Sequence, residues 1–70
     1  MKYRELAKRL KQLGCVEDRP AKGSHYFWRN PANGKAAAIP NWGSKDLRAG
    51  TVRGIIRQLG ISRSEFGSIK

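Results

Sequence analysis

The chain has 70 residues, and its 15 Lys or Arg against 5 Asp or Glu give a formal net charge of +10 at pH 7. So short a chain predicts a single small domain over 1–70 and excludes a large buried pocket, while one Cys and one His exclude an internal disulfide and a structural zinc site. No apolar run reaches the ~18 residues that a membrane-spanning helix needs, and the charged start lacks the apolar segment of a signal peptide, so we expect a cytoplasmic protein without a membrane anchor.

The first predicted element is an amphipathic helix over residues 2–13. Apolar residues recur there at helical spacing, and charged side chains fill the other faces. Gly14 follows the last apolar residue, at the place where a left-handed helix end favours glycine. The apolar stripe consists of Tyr3, Leu6, Ala7, Leu10 and Leu13.

Two strands are predicted after this helix. The first begins at Cys15-Val16, and the second is the run of β-favouring residues over 25–28. Because Pro20 has no N–H group to donate to a ladder, the first strand either ends near Arg19 or lies at a sheet edge.

A hairpin leads from the second strand into a third one. Residues 30–34 contain four strong turn formers, and Asn33-Gly34 is a dipeptide that accepts the positive φ angles of a tight turn. The third strand is predicted over Lys35–Ile39. Its three alanines are poor strand formers, so this prediction depends on the turn.

The remaining residues predict a loop over 40–50, a second helix and a last short turn. We expect Trp42 and Leu47 to fold back from the loop over the core, and the Thr51 hydroxyl to cap the second helix. Residues 62–65 form a capping-box pattern that opens the last turn. The apolar stripe of the second helix consists of Val52, Ile55, Ile56 and Leu59.

These elements predict an α+β fold in the order α-β-β-β-α. Two helices of this length cover one face of a three-stranded antiparallel sheet, and the other face meets solvent. This is the architecture of double-stranded-RNA-binding domains, which recognise RNA by its shape and by contacts to phosphates and 2′-hydroxyls.

The charge excess predicts a polyanionic partner. A composition of 39% hydrophobic and 29% charged residues is typical of a folded domain, so the positive charge lies on a packed surface. Nucleic acid is the first candidate, an acidic protein the second and an anionic membrane surface the third.

The alternation of side chains along the second strand separates two faces. If no bulge intervenes, His25, Phe27 and Arg29 share one face, and the opposite face carries the core. Phe27 would then lie partly exposed beside the imidazole, where an RNA base could stack on it. Packing of all the strand's aromatic rings inside the core is the alternative. The opposite face consists of Tyr26, Trp28 and Asn30.

A small cluster of residues before the second strand has the composition of a phosphate site. Gly23 and Ser24 would allow a phosphate to approach backbone N–H groups, Lys22 supplies a positive charge, and His25 supplies an imidazole that can accept or donate a proton. The alternative reading is an ordinary turn followed by an exposed histidine.

Seven segments together carry a resemblance to a known family. They are Leu13-Gly14, Lys22-Gly23-Ser24-His25, Arg29-Asn30-Pro31, Ile39-Pro40, Lys45-Asp46-Leu47, Gly50-Thr51 and the helix end over 55–62. In their order and spacing the chain resembles the HicA family of toxin mRNA interferases, from the first helix through Ile61. At Asn41-Trp42 the chain departs from a stretch that is often basic or His-containing in that family.

The resemblance implies a fold like that of double-stranded-RNA-binding domains and cleavage of messenger RNA. It also implies a catalytic histidine at position 25 and neutralisation by a HicB-type antitoxin. An acidic antitoxin would then compete with the mRNA substrate for the same basic surface.

The chemistry of RNA permits such an enzyme without a metal ion or a small-molecule cofactor. RNA carries its own nucleophile in the 2′-hydroxyl, so cleavage needs proton transfer and charge stabilisation. A metal-dependent nuclease needs clustered carboxylates, and the five in this chain are scattered. The sequence therefore predicts a metal-independent endoribonuclease.

A single imidazole leaves some roles open. The second acid or base is Lys22, Tyr26 or solvent, and either Arg29 or Lys45 stabilises the developing negative charge. The RNA-binding residues predicted around His25 are Lys22, Gly23, Ser24, Phe27, Arg29 and Lys45.

Two alternatives from other functional classes are compatible with the composition of this chain. A non-catalytic RNA-binding module would use the same fold and charge with His25 as a bystander. A membrane-active basic peptide built on residues 2–13 would have too sparse an apolar stripe for strong anchoring.

Overall fold

A computed structural model describes residues 1–69 and contains the predicted order of helix, three strands and helix, followed by a short third helix. The α+β prediction and the appended last turn are confirmed. The elements are α1 (Tyr3–Gln12), β1 (Val16–Pro20), β2 (His25–Asn30), β3 (Lys35–Pro40), α2 (Ala49–Gln58) and α3 (Arg63–Phe66).

The three strands form one antiparallel sheet in the order β1-β2-β3, so β1 is an edge strand. Pro20 predicted that this strand either ends near Arg19 or lies at a sheet edge, and both hold: the strand lies at the edge and ends at Pro20. A bulge shifts the register of β1 between Glu17 and Arg19. The pairing of β2 with β3 is regular, from His25 opposite Pro40 to Asn30 opposite Lys35.

Because β2 is regular, its side chains alternate between the two faces as predicted. His25 and Arg29 are exposed and Phe27 is half-buried, whereas Trp28 is fully buried on the opposite face. The helices cover that opposite face, and the sheet is otherwise open. Residues that build the core include Leu6 and Leu10 of α1, Trp28 and Ile39 of the sheet, and Val52, Ile55 and Ile56 of α2.

Tyr3 connects α1 to the sheet through two hydrogen bonds. Its hydroxyl accepts from the Trp28 indole Nε1 at 3.0 Å and donates to a carboxylate oxygen of Glu17 at 2.6 Å. Burial and the bond to Glu17 raise the pKa of the Tyr3 hydroxyl well above its ordinary value. The buried indole N–H therefore has a partner, which fixes the orientation of Trp28.

The hairpin between β2 and β3 differs from the tight turn predicted from Asn33-Gly34. Gly34 has a φ of +74°, but none of the described non-glycine residues, Asn33 included, has a positive φ. The loop instead contains four residues, and the N–H groups of Asn33 and Gly34 both donate to the Asn30 carbonyl. Asn33 acts through its side chain, which donates to the Leu59 carbonyl at 3.0 Å.

Two predictions for the loop before α2 were wrong. The helix begins at Ala49 after Arg48, so Thr51 lies inside the first turn and is not the N-cap. Trp42 is 43% exposed and does not cover the core, although Leu47 does, as predicted. The Leu47 N–H donates to the Met1 carbonyl at 2.8 Å. This bond holds the segment just before α2 close to the start of α1.

Candidate functional site

His25 stands at the start of β2, directly after a loop that is held on both sides. The Ala21 N–H donates to the His25 carbonyl at 2.8 Å, and the Asn41 N–H donates to the Ser24 carbonyl at 2.8 Å. Gly23 within this loop has a φ of +69°, a conformation that favours glycine. The imidazole therefore lies on a fixed backbone while remaining exposed to solvent.

An open cavity of about 570 Å³ lies beside the imidazole. It brings together five of the seven site residues predicted from the sequence, and Ala21 and Ala38 complete its wall. The predicted members are Lys22, Gly23, Ser24, His25 and Phe27.

The phosphate contact expected at Gly23 stays a prediction. A Cβ atom at this position would meet no heavy atom of the surrounding protein within 4 Å, so the space beside the Gly23 backbone is open. The positive φ is a separate reason for glycine here, because residues with a side chain rarely adopt it.

The other two predicted residues lie outside this cavity. Arg29 is exposed on the same face of β2, but it lies four positions farther along the strand than His25, or roughly 13 Å away. Lys45 lines a neighbouring cavity of about 430 Å³ together with Ser24, Asn41 and Trp42. Ser24 borders both cavities, so Lys45 is closer in the fold to the His25 cavity than the sequence separation suggests.

Phe27 has a partner that the sequence did not indicate. The guanidinium carbon of Arg19 lies 5.0 Å from the centre of the Phe27 ring, a cation–π contact. The bulge in β1 sets Arg19 opposite Phe27 in the ladder, and no local periodicity announces a bulge. A base that stacked on Phe27 would have to displace or share this cation.

Tyr26, one of the expected candidates for the second acid or base, lies on the wrong face. Its half-buried ring packs against the core, with its centre 5.9 Å from that of Tyr3. Lys22 lines the cavity beside His25, so it and solvent are the candidates that the geometry leaves in place.

A third cavity, a basic groove of about 660 Å³, runs between α1 and the segment 41–44. Asn41 borders this groove and also the cavity that contains Trp42. Shared residues therefore connect the His25 cavity to the groove through the Trp42 cavity. The cations of the groove are Lys2, Arg4, Lys8 and Lys11.

The five side-chain carboxylates are dispersed and locally engaged. Three of them form ion pairs: Glu5 with Arg9, Asp18 with Arg19, and Asp46 with the N-terminus and Lys2. A fourth, Glu65, accepts a hydrogen bond from the Ser62 N–H. Glu17, the fifth, accepts from Tyr3. Within residues 1–69 no three His, Cys, Asp or Glu side chains come together as a metal site would require. Metal-independent chemistry stays a prediction.

No helix in the described part of the chain is long and apolar enough to cross a membrane.

Cys15 is buried, as a core residue of the segment between α1 and β1, and this burial raises the pKa of its thiol. It lines none of the three cavities described above.

Comparison with known proteins matches most of the chain. The family model for the HicA toxin of bacterial toxin–antitoxin systems matches residues 3–61. The chain is 39% identical over 61 residues to a probable mRNA interferase HicA from Pseudomonas fluorescens (strain Pf0-1), an alignment that covers 87% of this chain and 97% of that protein. No solved structure gives a significant match. By the extent of the family match and the identity to this relative, the chain belongs to the HicA toxin family.

Proposed function

We propose that this protein is the toxin of a toxin–antitoxin pair and acts as an mRNA interferase, an endoribonuclease that uses His25 without a metal ion. The observation that carries the proposal is the position of the chain's single imidazole, exposed at the edge of a cavity whose wall also contains Lys22, Gly23 and Ser24. The name of the Pseudomonas relative, an mRNA interferase, supports the same reaction.

The reaction class follows from what one imidazole and nearby cations can do. The RNA 2′-hydroxyl oxygen attacks the adjacent phosphorus, and the bond from phosphorus to the 5′ oxygen breaks. The products are a 2′,3′-cyclic phosphate and a 5′-hydroxyl. Neutral His25 accepts the 2′-hydroxyl proton, and the departing 5′ oxygen receives a proton from Lys22 or from water.

Charge stabilisation in this scheme comes from the loop and its surroundings. Lys22 lies in the wall of the His25 cavity, and Lys45 lies across Ser24 in the adjoining one. We expect both ammonium groups to favour the extra negative charge that develops on the phosphate in the transition state. Arg29, farther along β2, is better placed for a neighbouring phosphate of the same RNA.

A HicB-type antitoxin of acidic character is the proposed protein partner. The net charge of +10 raises the rate of encounter with such a partner, and an antitoxin that covers the His25 cavity would exclude RNA. The single-domain organisation and the cytoplasmic location expected from the sequence are part of the same proposal.

The central test compares wild type with His25→Ala and His25→Gln on single-stranded RNA, in the presence of a chelator. We expect cleavage by wild type and a loss of at least about 100-fold in both variants, since general acid–base catalysis contributes ~10²–10⁴-fold. The measurement is the single-turnover cleavage rate, with the chemical identity of the new RNA ends.

The matched control is Lys35→Ala, an exposed position at the opposite end of the β2–β3 ladder. It should cleave like wild type. Cleavage by His25→Ala at the wild-type rate would refute the catalytic assignment. Wild type that binds RNA but does not cut it would favour the non-catalytic binding module, and cleavage that requires added magnesium would refute metal independence.

A further inference from the structure

Trp42 is an exposed indole in a chain that buries its other tryptophan completely. Trp42 is 43% exposed and Trp28 is 0% exposed. Within residues 1–69 only Val16, at 38%, joins Trp42 among the large hydrophobic side chains that are exposed. The exposed part of the indole is an apolar, planar surface with a polar N–H, which can contact a ligand.

The backbone that carries Trp42 is held in place by hydrogen bonds on both sides. The Asn41 N–H donates to the Ser24 carbonyl at 2.8 Å, and the Lys45 N–H donates to the Trp42 carbonyl at 3.1 Å. The Asn41 side chain accepts from the Gly43 N–H at 3.0 Å. The indole therefore projects from an ordered turn, and little conformational entropy would be lost when a planar ligand stacks on it.

The surroundings of the indole have the composition of a nucleotide subsite. Its cavity of about 430 Å³ is also lined by Lys45, Ser24 and Asn41, whose side chains carry an ammonium group, a hydroxyl and an amide. An aromatic face accepts a nucleobase, and a cation beside it accepts the phosphate. Ser24 also borders the His25 cavity, so the two sites are adjacent.

We propose that Trp42 stacks on a nucleobase of single-stranded RNA, next to the nucleotide whose phosphate reacts at His25. This inference rests on the proposed function and adds a binding determinant to it. Asn41 borders the basic groove along α1 as well, so an RNA strand bound on Trp42 can continue onto Lys8 and Lys11. Trp42 thereby contributes to the choice of the cleavage position.

The two tryptophans allow a direct binding experiment. In a His25→Ala background, a short oligoribonucleotide of mixed sequence should quench the fluorescence of Trp42. In His25→Ala/Trp42→Phe, only buried Trp28 remains, so the same RNA should change the fluorescence little. Trp42→Ala should weaken binding about 5- to 150-fold, as loss of one base–aromatic stack does, and Trp42→Phe should weaken it less because a ring remains.

Replacing the stacked base provides a second, independent readout. We would measure affinity for a series of oligoribonucleotides, each with one abasic position. At one position in the series, the protein with Trp42 and the Trp42→Ala variant should bind with the same affinity, because the base that stacks on the indole is missing. In the cleaving enzyme, Trp42→Ala should raise KM and change the distribution of cut sites. Because Trp42 is not part of the hydrophobic core, circular dichroism and the urea midpoint should match those of wild type.

The outcomes separate this inference from the proposed function. If wild type cleaves RNA and Trp42→Ala binds RNA as tightly as wild type does, the inference about Trp42 is refuted and the proposed function is not. Unchanged RNA affinity with weakened binding of the acidic antitoxin would also refute it, and would identify Trp42 as a protein contact. A wild type that neither binds nor cuts RNA would refute both.

Discussion

Asn30 is a single side chain on which the corner between the hairpin and α2 depends. It is the one buried polar residue among residues 1–69, with 7% exposure. Its Nδ2 group donates to the Leu59 carbonyl at 2.8 Å, and its Oδ1 accepts from the Ala32 N–H at 3.2 Å. Asn30 therefore provides a partner for the Ala32 N–H in the turn that follows β2 and for the Leu59 carbonyl at the end of α2.

We expect Asn30→Ala to lower the free energy of unfolding by about 1–3 kcal/mol, because it removes the two hydrogen bonds that a buried side chain makes with the Leu59 carbonyl and the Ala32 N–H. Asn33→Ala is the matched control, since Asn33 also donates to Leu59 but is exposed, so water can replace the bond. Its loss should be clearly smaller. Urea unfolding measures both, and equal losses would contradict the role of burial.

At the scale of elements, the three helices differ in what stabilises their N-terminal ends. α3 has a complete capping box: the Glu65 N–H donates to the Ser62 hydroxyl, and the Glu65 carboxylate accepts from the Ser62 N–H. α1 and α2 have no side-chain hydrogen bond at their N-caps, Lys2 and Arg48. Their starts are held instead by the Lys2–Asp46 bridge and the neighbouring backbone bond to Met1.

The capping of α3 by Ser62, and the absence of such a cap at α2, predict different changes in the free energy of unfolding when the Ser62 or the Thr51 hydroxyl is removed. Ser62→Ala should lower the free energy of unfolding by about 0.5–2 kcal/mol, because it removes the cap of the helix that buries Phe66. Thr51→Ala should cost nothing or stabilise slightly, since Thr51 lies inside α2 and alanine has the higher helix propensity. Thermal and urea unfolding compare the two variants. A larger loss for Thr51→Ala would restore it as a capping residue.

For the whole molecule, the distribution of charge matters more than its total. All five side-chain carboxylates pair with, or accept from, neighbouring groups, so they do not form an acidic patch. The cations of the α1 groove lie along a path that reaches the His25 cavity through shared residues. On the proposed function, RNA would follow this path, and charges elsewhere would act only at long range.

Two double charge reversals test the path. Lys8→Glu/Lys11→Glu changes the groove, whereas Arg57→Glu/Arg63→Glu changes a separate cavity between α2 and α3 by the same net charge. We expect the first pair to weaken RNA affinity more. It should also reduce the slope of log affinity against log salt by about 1.4, or ~0.7 per lost contact to single-stranded RNA. Equal effects of the two pairs would show that only total charge matters.

Features set by local pattern could be read from the amino-acid sequence alone. The order of the elements, the two faces of β2 and the capping box at Ser62 follow from periodicity and from interactions within a few residues. The sequence also singled out Lys22, Gly23, Ser24, His25 and Phe27, which line one cavity in the structure. The catalytic role of His25 stays a prediction.

Tertiary structure alone decided where the loops and the less regular strand place their side chains. The bulge that sets Arg19 over Phe27, the exposure of Trp42 and the start of α2 at Ala49 all depend on contacts between distant parts of the chain. The hydrogen bonds from Asn41 to Ser24 and from Leu47 to Met1 join residues that no local periodicity relates. Such bonds form only when the packed core brings their donors and acceptors together, because every buried backbone group then needs a partner.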